Sequence, residues 1–113
     1  MILDWDDVLA RLDSDINLYK ELLEIFEVDA PLSINSLKLS VKSGDANAIK
    51  GGAHAIKGAL RNLGAKSSAA IAEKIEFAGR SGDLRDTELD LEALEVEVNK
   101  FLHQAKEIMR NHT

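Results

Sequence analysis

The chain has 113 residues, no cysteine, and 20 acidic against 14 basic side chains, for a formal net charge of -6. This length fits one domain with a sizeable core, and the lack of cysteine excludes disulfides, thiolate metal sites and cysteine nucleophiles. The negative charge argues against nucleic acid and against direct membrane contact, and without a long apolar segment or signal-peptide pattern we expect a cytoplasmic protein.

Apolar residues recur every three or four positions along the chain, which indicates helices throughout. A short first helix is expected over about residues 4–12, where acidic side chains stand at the start. A long second helix is expected over about residues 15–43. Its apolar phase continues across Pro31, so we expect a kink there rather than an end, although proline removes a backbone hydrogen bond.

Three further helices follow, separated by turns that contain glycine. They are expected over about residues 45–63, 65–80 and 86–110. Short connections between long helices favour antiparallel neighbours. The sequence therefore predicts one all-α domain over residues 1–113, an up-down-up-down antiparallel four-helix bundle with the short N-terminal helix packed on it.

The helix predicted at about residues 45–63 has one apolar and one polar face. On a wheel of about 100° per residue, the apolar face has five members: Ile49, Ala53, Ile56, Leu60 and Leu63. The polar face has His54 near its middle and otherwise consists of Asn47, Lys50, Gly51, Lys57, Gly58 and Arg61. We take this polar face as the candidate functional surface.

Two glycines flank His54 on the polar face, although glycine inside a helix costs roughly 0.8 to 1 kcal/mol relative to alanine. Gly51 lies about one turn before the histidine and Gly58 one turn after it. Folding gains nothing from glycine at exposed positions. Removing side chains there gives another molecule access to the imidazole, so we interpret the two glycines as a feature of binding.

Positive charge is concentrated around the same histidine. Residues 46–72 contain no acidic residue and four basic ones, while the rest of the chain has 20 acids against 10 bases. An ordinary surface role is the usual interpretation of an exposed histidine, but the glycines and the charge favour a functional one. A phosphoryl group fits, because a neutral imidazole nitrogen is a nucleophile near neutral pH. The basic residues are Lys50, Lys57, Arg61 and Lys66.

Residues 53–65, AHAIKGALRNLGA, resemble the signature of the histidine-containing phosphotransfer (Hpt) domains of multistep two-component phosphorelays. A histidine followed three residues later by Lys-Gly, in an all-α chain of this length, is a specific combination. The similarity extends over nearly the whole chain, through DWD at 4–6, LLEIF at 22–26, SGD at 43–45 and SGD at 81–83.

The resemblance implies that His54 is the phosphoacceptor, that Lys57 steadies the phosphoryl charge and that Gly58 leaves room for a docking receiver domain. The family often has serine after this glycine, where the chain has Ala59. Some members hold the second imidazole nitrogen with a polar side chain from the following helix, and the sequence offers no assignment for it. The rest of the expected receiver-docking face is Arg61, Lys50, Gly51 and Asn47.

The same resemblance implies that the chain accepts the phosphoryl group from a receiver-domain aspartate and passes it to another one. Its partners are then the receiver domains of response regulators, of a hybrid histidine kinase, or of both. The chain would be a carrier and not an enzyme, with no ATP site, autokinase activity or bound cofactor, and Mg²⁺ would belong to the partner receiver. A monomer is the simplest expectation.

Two alternatives stay open at this point. One is the phosphoacceptor domain of a larger histidine kinase of the chemotaxis or hybrid type. The other is a non-catalytic helical adaptor bundle, in which the histidine is incidental. No metal site is expected, because His103 and Glu107 on the last helix offer two ligands without a third.

Overall fold

The computed structural model describes residues 15–112. The predicted helix at about residues 4–12 lies outside these residues. No strand occurs in the described part, so the prediction of an all-α fold is confirmed. None of the described helices is long and apolar enough to cross a membrane. The four helices found here are α1 (Ile16–Ser43), α2 (Ala46–Asn62), α3 (Lys66–Ser81) and α4 (Thr87–His112).

Helix α1 determines the length of the molecule. Its 28 residues span about 42 Å at 1.5 Å per residue, and the long axis of the structure measures 43 Å. The Asp15 side chain caps the helix by accepting a hydrogen bond from the Leu18 amide. Pro31 lies inside α1, which continues as one α-helix because Ala30 and Ile34, on either side of the proline, are buried in the core.

The helices pack around one core to which all four contribute. Helix α1 contacts α2 and α4, and α3 contacts the same two helices. The hydroxyl of buried Tyr19 donates a hydrogen bond to the Leu63 carbonyl at 2.8 Å, which satisfies the phenol and joins the start of α1 to the end of α2. The apolar face predicted for α2 is confirmed, since all five of its members are buried.

A buried three-residue turn connects α2 to α3. Leu63, Gly64 and Ala65 are all buried, and Gly64 has a φ of 78°, in the left-handed region that favours glycine. The Ala65 amide donates to the Leu60 carbonyl at 2.9 Å, which satisfies one of the last carbonyls of α2. The turn thus ends α2 without leaving this backbone group unpaired.

Helices α2 and α3 form the most extensive helix pair, and Gly79 accounts for their close approach. A Cβ atom at Gly79 would lie 2.7 Å from the Lys50 amide nitrogen and 2.8 Å from the Ala46 carbonyl oxygen. These distances are too short for a real Cβ, so the approach requires glycine. Glu76, about one turn before Gly79 on α3, is thereby brought against the middle of α2.

We expect Gly79→Ala to lower the free energy of unfolding by about 1 to 3 kcal/mol, because the new methyl group meets backbone atoms that cannot rotate away. The measurement is unfolding in urea. Gly58→Ala is the matched control, since a Cβ there meets nothing within 4 Å, and alanine should leave the stability unchanged or raise it by up to about 1 kcal/mol. Equal stabilities for the two variants would contradict the close-approach explanation.

Candidate phosphoacceptor site

His54 lies on the outward face of α2, and its side chain is 68% exposed. One ring nitrogen, Nδ1, is 2.8 Å from Oε2 of Glu76 on α3. The other, Nε2, makes no hydrogen bond within the part of the chain that the structure describes. One side of the imidazole is therefore held by the protein, and the other is open.

Glu76 is the central residue of the site, and the sequence analysis did not assign it. Its side chain is only 5% exposed. Oε1 accepts a hydrogen bond from Nζ of Lys57 at 2.5 Å, and Oε2 accepts one from Nη2 of Arg80 at 3.2 Å in addition to its contact with His54. A carboxylate removed from water is unfavourable unless it is paired, and these donors provide the pairing.

The charge state of Glu76 determines which nitrogen of His54 carries the proton. The hydrogen bond from Lys57 lowers the pKa of Glu76 below its ordinary value, burial acts in the opposite direction, and the hydrogen bond from His54 lowers it further. The carboxylate is therefore ionised near neutral pH and can only accept hydrogen bonds. Nδ1 must donate, which leaves the lone pair of a neutral imidazole on the open Nε2.

Lys57 differs from the sequence-based prediction, which placed it on the exposed face. Its side chain is only 12% exposed, and Nζ is directed at Glu76. The buried carboxylate draws the ammonium group inward, because the pair stabilises both charges more than solvent at this half-buried position does. Lys57 thus shares Glu76 with His54, and the Glu76 carboxylate already neutralises the charge of its ammonium group.

The remaining residues of the predicted docking face lie at the surface. Gly51 and Gly58 are exposed, and a Cβ at either position meets nothing within 4 Å. Packing therefore gives no reason for glycine there, which leaves the access interpretation in place. Asn47, Lys50 and Arg61 are exposed as well.

The positive patch is weaker in the fold than along the chain. Arg61 contacts the Glu73 carboxylate at 3.4 Å, and Lys57 contacts Glu76. Both acids belong to α3 and lie just beyond the acid-free segment 46–72, so counting charges along the chain missed them. Arg80, also on α3, adds one positive charge to this surface.

One signal in the sequence could have identified Glu76. It lies in helical register with Ala69, Ala72 and Gly79, and all four are buried. A charged side chain in a row of small buried residues is unusual, because ionised groups are almost never fully buried without a partner. That position alone indicates a polar contact with the neighbouring helix.

An apolar groove runs between α1 and α2 beside the site. Its volume is about 290 Å³. Ala55 and Ala59 on α2 leave its floor open, and Ala55 follows His54 directly in the chain. On α1 the groove is lined by Leu22, Ile25, Phe26, Asp29, Ala30 and Ser33.

The described residues contain no group of three or more histidine, aspartate and glutamate side chains that could hold a metal ion. His103 is exposed on α4, away from the helix pair that carries His54.

Comparison with known proteins identifies the family of the chain. The family model of the Hpt domain matches residues 21–108, so the chain belongs to the Hpt domain family. Histidine-containing phosphotransfer protein B (HptB) from Pseudomonas aeruginosa PAO1 is similar in structure, with a TM-score of 0.88 and 31% identity over 97% of this chain and 96% of HptB. A search of curated protein sequences found no match.

We expect Glu76→Gln to lower the free energy of unfolding by about 1 to 2 kcal/mol near neutral pH, because Lys57, which is only 12% exposed, loses its counter-charge. The folded-state pKa of Glu76 is below its ordinary value of 4.5. Its stabilisation is therefore present above about pH 4.5 and lost as the pH falls through the folded-state pKa. The difference between wild type and variant, measured by urea unfolding, should narrow on acidification.

Glu73→Gln is the control for this pH series. Glu73 is exposed and pairs with Arg61 at 3.4 Å, so its removal should change the stability by less than about 0.5 kcal/mol at every pH. A difference between wild type and Glu76→Gln that stays constant or widens at low pH would contradict the assignment of an ionised Glu76.

Proposed function

We propose that this chain is a phosphorelay intermediate that accepts a phosphoryl group on Nε2 of His54 from a receiver-domain aspartate and passes it to another receiver-domain aspartate. The observation that carries the assignment is the bond from Nδ1 to buried Glu76, which leaves Nε2 as the nucleophile. Membership of the Hpt family supports the relay function, and the similar protein HptB is a histidine-containing phosphotransfer protein.

The transfer can be written without any proton moving on the ring. The Nε2 lone pair attacks the phosphorus of the aspartyl phosphate, the P–N bond forms, and the bond from phosphorus to the acyl oxygen breaks. The receiver aspartate leaves as a carboxylate. The ring keeps its Nδ1 proton and becomes a positively charged phosphoimidazolium beside the Glu76 carboxylate, and onward transfer reverses the same steps.

In this proposal the chain is a carrier and not a kinase. It has no ATP site and binds no cofactor of its own, and the Mg²⁺ at the reacting phosphoryl group is supplied by the receiver domain. The sequence supports this division, because it contains no glycine-rich phosphate loop and no kinase-like nucleotide motif.

The proposed receiver-docking face combines the exposed residues around His54 with the apolar groove between α1 and α2. The open space at Gly51 and Gly58 lets a partner surface come close to the imidazole. The groove adds apolar area at Ala55, the residue after His54, and at Ala59, as protein interfaces require at their centre. Asn47, Lys50 and Arg61 complete the proposed face.

We propose that a monomer is the unit of transfer, because Glu76, which contacts the imidazole, reaches His54 from the neighbouring helix of the same chain. We also propose an up-down-up-down order for the four helices. The pairs Tyr19–Leu63 and Glu27–Lys106 support this order, because each joins the first half of α1 to the end of a neighbouring helix.

Transfer of labelled phosphoryl from a phosphorylated receiver domain tests the assignment. We expect label on the wild type and on His103→Gln, which removes an exposed histidine from α4, and none on His54→Gln. The labelled bond should be labile in acid and stable in alkali, as for a phosphoramidate. Equal labelling of His54→Gln and wild type would exclude His54, and an acid-stable, alkali-labile product would indicate an acyl phosphate instead.

We expect Gly58→Phe to slow transfer by roughly tenfold or more, because a bulky side chain one turn from His54 holds the donor phosphorus away from Nε2. The rate is measured by quenching the reaction with the phosphorylated receiver at successive times. The helical circular dichroism signal of the variant should stay near that of the wild type. Ala93→Phe, at an exposed position of α4, is the matched control. The access interpretation of Gly58 fails if both variants transfer at the wild-type rate.

A further inference from the structure

Three donors converge on Glu76, and they differ in how they are held. Nζ of Lys57 contacts Oε1 at 2.5 Å, while Nδ1 of His54 and Nη2 of Arg80 both contact Oε2, at 2.8 and 3.2 Å. Lys57 is largely shielded from solvent, whereas the Arg80 side chain is 62% exposed and reaches back one turn along α3. Before transfer, the shielded lysine and the histidine already satisfy both oxygens.

Phosphorylation changes the charges around this carboxylate. A phosphoryl group on Nε2 brings about two negative charges to the surface, and the ring that carries it becomes positive next to Glu76. Lys57 then has a second anion within its neighbourhood, and Glu76 gains the imidazolium as a third cation beside Lys57 and Arg80. The ammonium group is thus free to leave the carboxylate, because the imidazolium has taken over part of its role.

Departure of Lys57 leaves Oε1 of a buried carboxylate without its donor. An unpaired oxygen there would favour rotation of the carboxylate away from Nδ1, and the ring would lose its orientation. Arg80 and the imidazolium are then the cations on Glu76, and the Arg80 guanidinium has five N–H donors in a planar fork that matches a carboxylate.

We propose that Arg80 is a positioning residue for phosphotransfer, which holds the Glu76 carboxylate against Nδ1 of His54 while Lys57 exchanges Glu76 for the phosphoryl group. This inference rests on the proposed function of His54. It explains why an exposed arginine contacts a carboxylate that already has a donor on each of its two oxygens. It also reconciles the inward position of Lys57 with a role at the phosphoryl group.

A structural role and a positioning role make different predictions. Arg80 itself is 62% exposed, and Glu76 keeps Lys57 and His54 as donors when the arginine is removed. A side-chain pair one turn apart on a helix contributes little to stability, so Arg80→Gln should unfold at nearly the same urea concentration as the wild type. Its maximal rate of phosphoryl transfer, at saturating phosphorylated receiver, should fall about tenfold, as expected for one lost charge-assisted hydrogen bond. The receiver concentration that gives half of this rate should stay the same.

Two further variants complete the series. Lys74→Gln removes a charge from the same helix at a position that is 69% exposed and paired with Asp90, and it should transfer at the wild-type rate. Arg80→Lys keeps the charge but loses the planar fork of donors, and it should recover part of the transfer rate that Arg80→Gln loses.

In NMR spectra of the wild type, the Lys57 ammonium signal should shift on phosphorylation, as its partner changes from carboxylate to phosphoryl.

A wild-type maximal rate for Arg80→Gln would overturn the inference. So would an unchanged maximal rate with a higher half-saturating receiver concentration, which would make Arg80 a docking residue, or a Lys57 signal that phosphorylation does not move. Labelling of His54→Gln in the same assay would overturn the proposed function itself. Loss of label in His54→Gln with full activity in Arg80→Gln would refute only the role of Arg80.

Discussion

A carboxylate removed from water is stable only where donors surround it, and Glu76 meets this condition through residues of two helices. Lys57 and His54 reach it from α2, and Arg80 reaches it along α3. The same contacts that stabilise the buried charge also fix the proton of the imidazole on Nδ1. A requirement of folding therefore leaves the lone pair of the imidazole on the open nitrogen, because Glu76 does not contact Nε2.

This contact depends in turn on how closely α2 and α3 approach. At Gly79 the backbones come so near that no side chain fits between them. Ala69 and Ala72 keep the rest of the interface narrow, so Glu76 reaches the middle of α2 without extending into solvent. Small residues on one helix thus determine the geometry of a histidine on the other, although none of them touches it.

The sequence predicted the helices and the polar face around His54 more completely than the side-chain contacts between the helices. Apolar spacing located the four long helices within about two residues of their observed ends, and the wheel of α2 separated buried Ile56 from exposed His54 correctly. The helical wheel could not show that the side chain of Lys57 turns inward. A wheel assigns a direction to each Cα atom and not to the end of a long flexible side chain.

Charge was the property that the linear sequence represented least well. The segment 46–72 has no acid, yet Glu73 and Glu76 pair with Arg61 and Lys57 across the helix interface. Such pairs join residues 12 and 19 positions apart, and no count along the chain includes them. The position of Glu76 among small buried residues was the available signal, and it required the wheel of α3 to be considered together with that of α2.

The compensated charge of Lys57 has a consequence for a carrier that must both accept and release its cargo. A site with a permanently uncompensated cation beside His54 would stabilise the phosphorylated state strongly, and tight binding of that state would raise the barrier to onward transfer. With Lys57 already paired to Glu76, an arriving phosphoryl group must compete for the ammonium group, so the gain in electrostatic energy is only the difference between two partners. Under the proposed assignment of His54, the buried glutamate would thus keep the two directions of transfer close in free energy while it holds the ring in place for both.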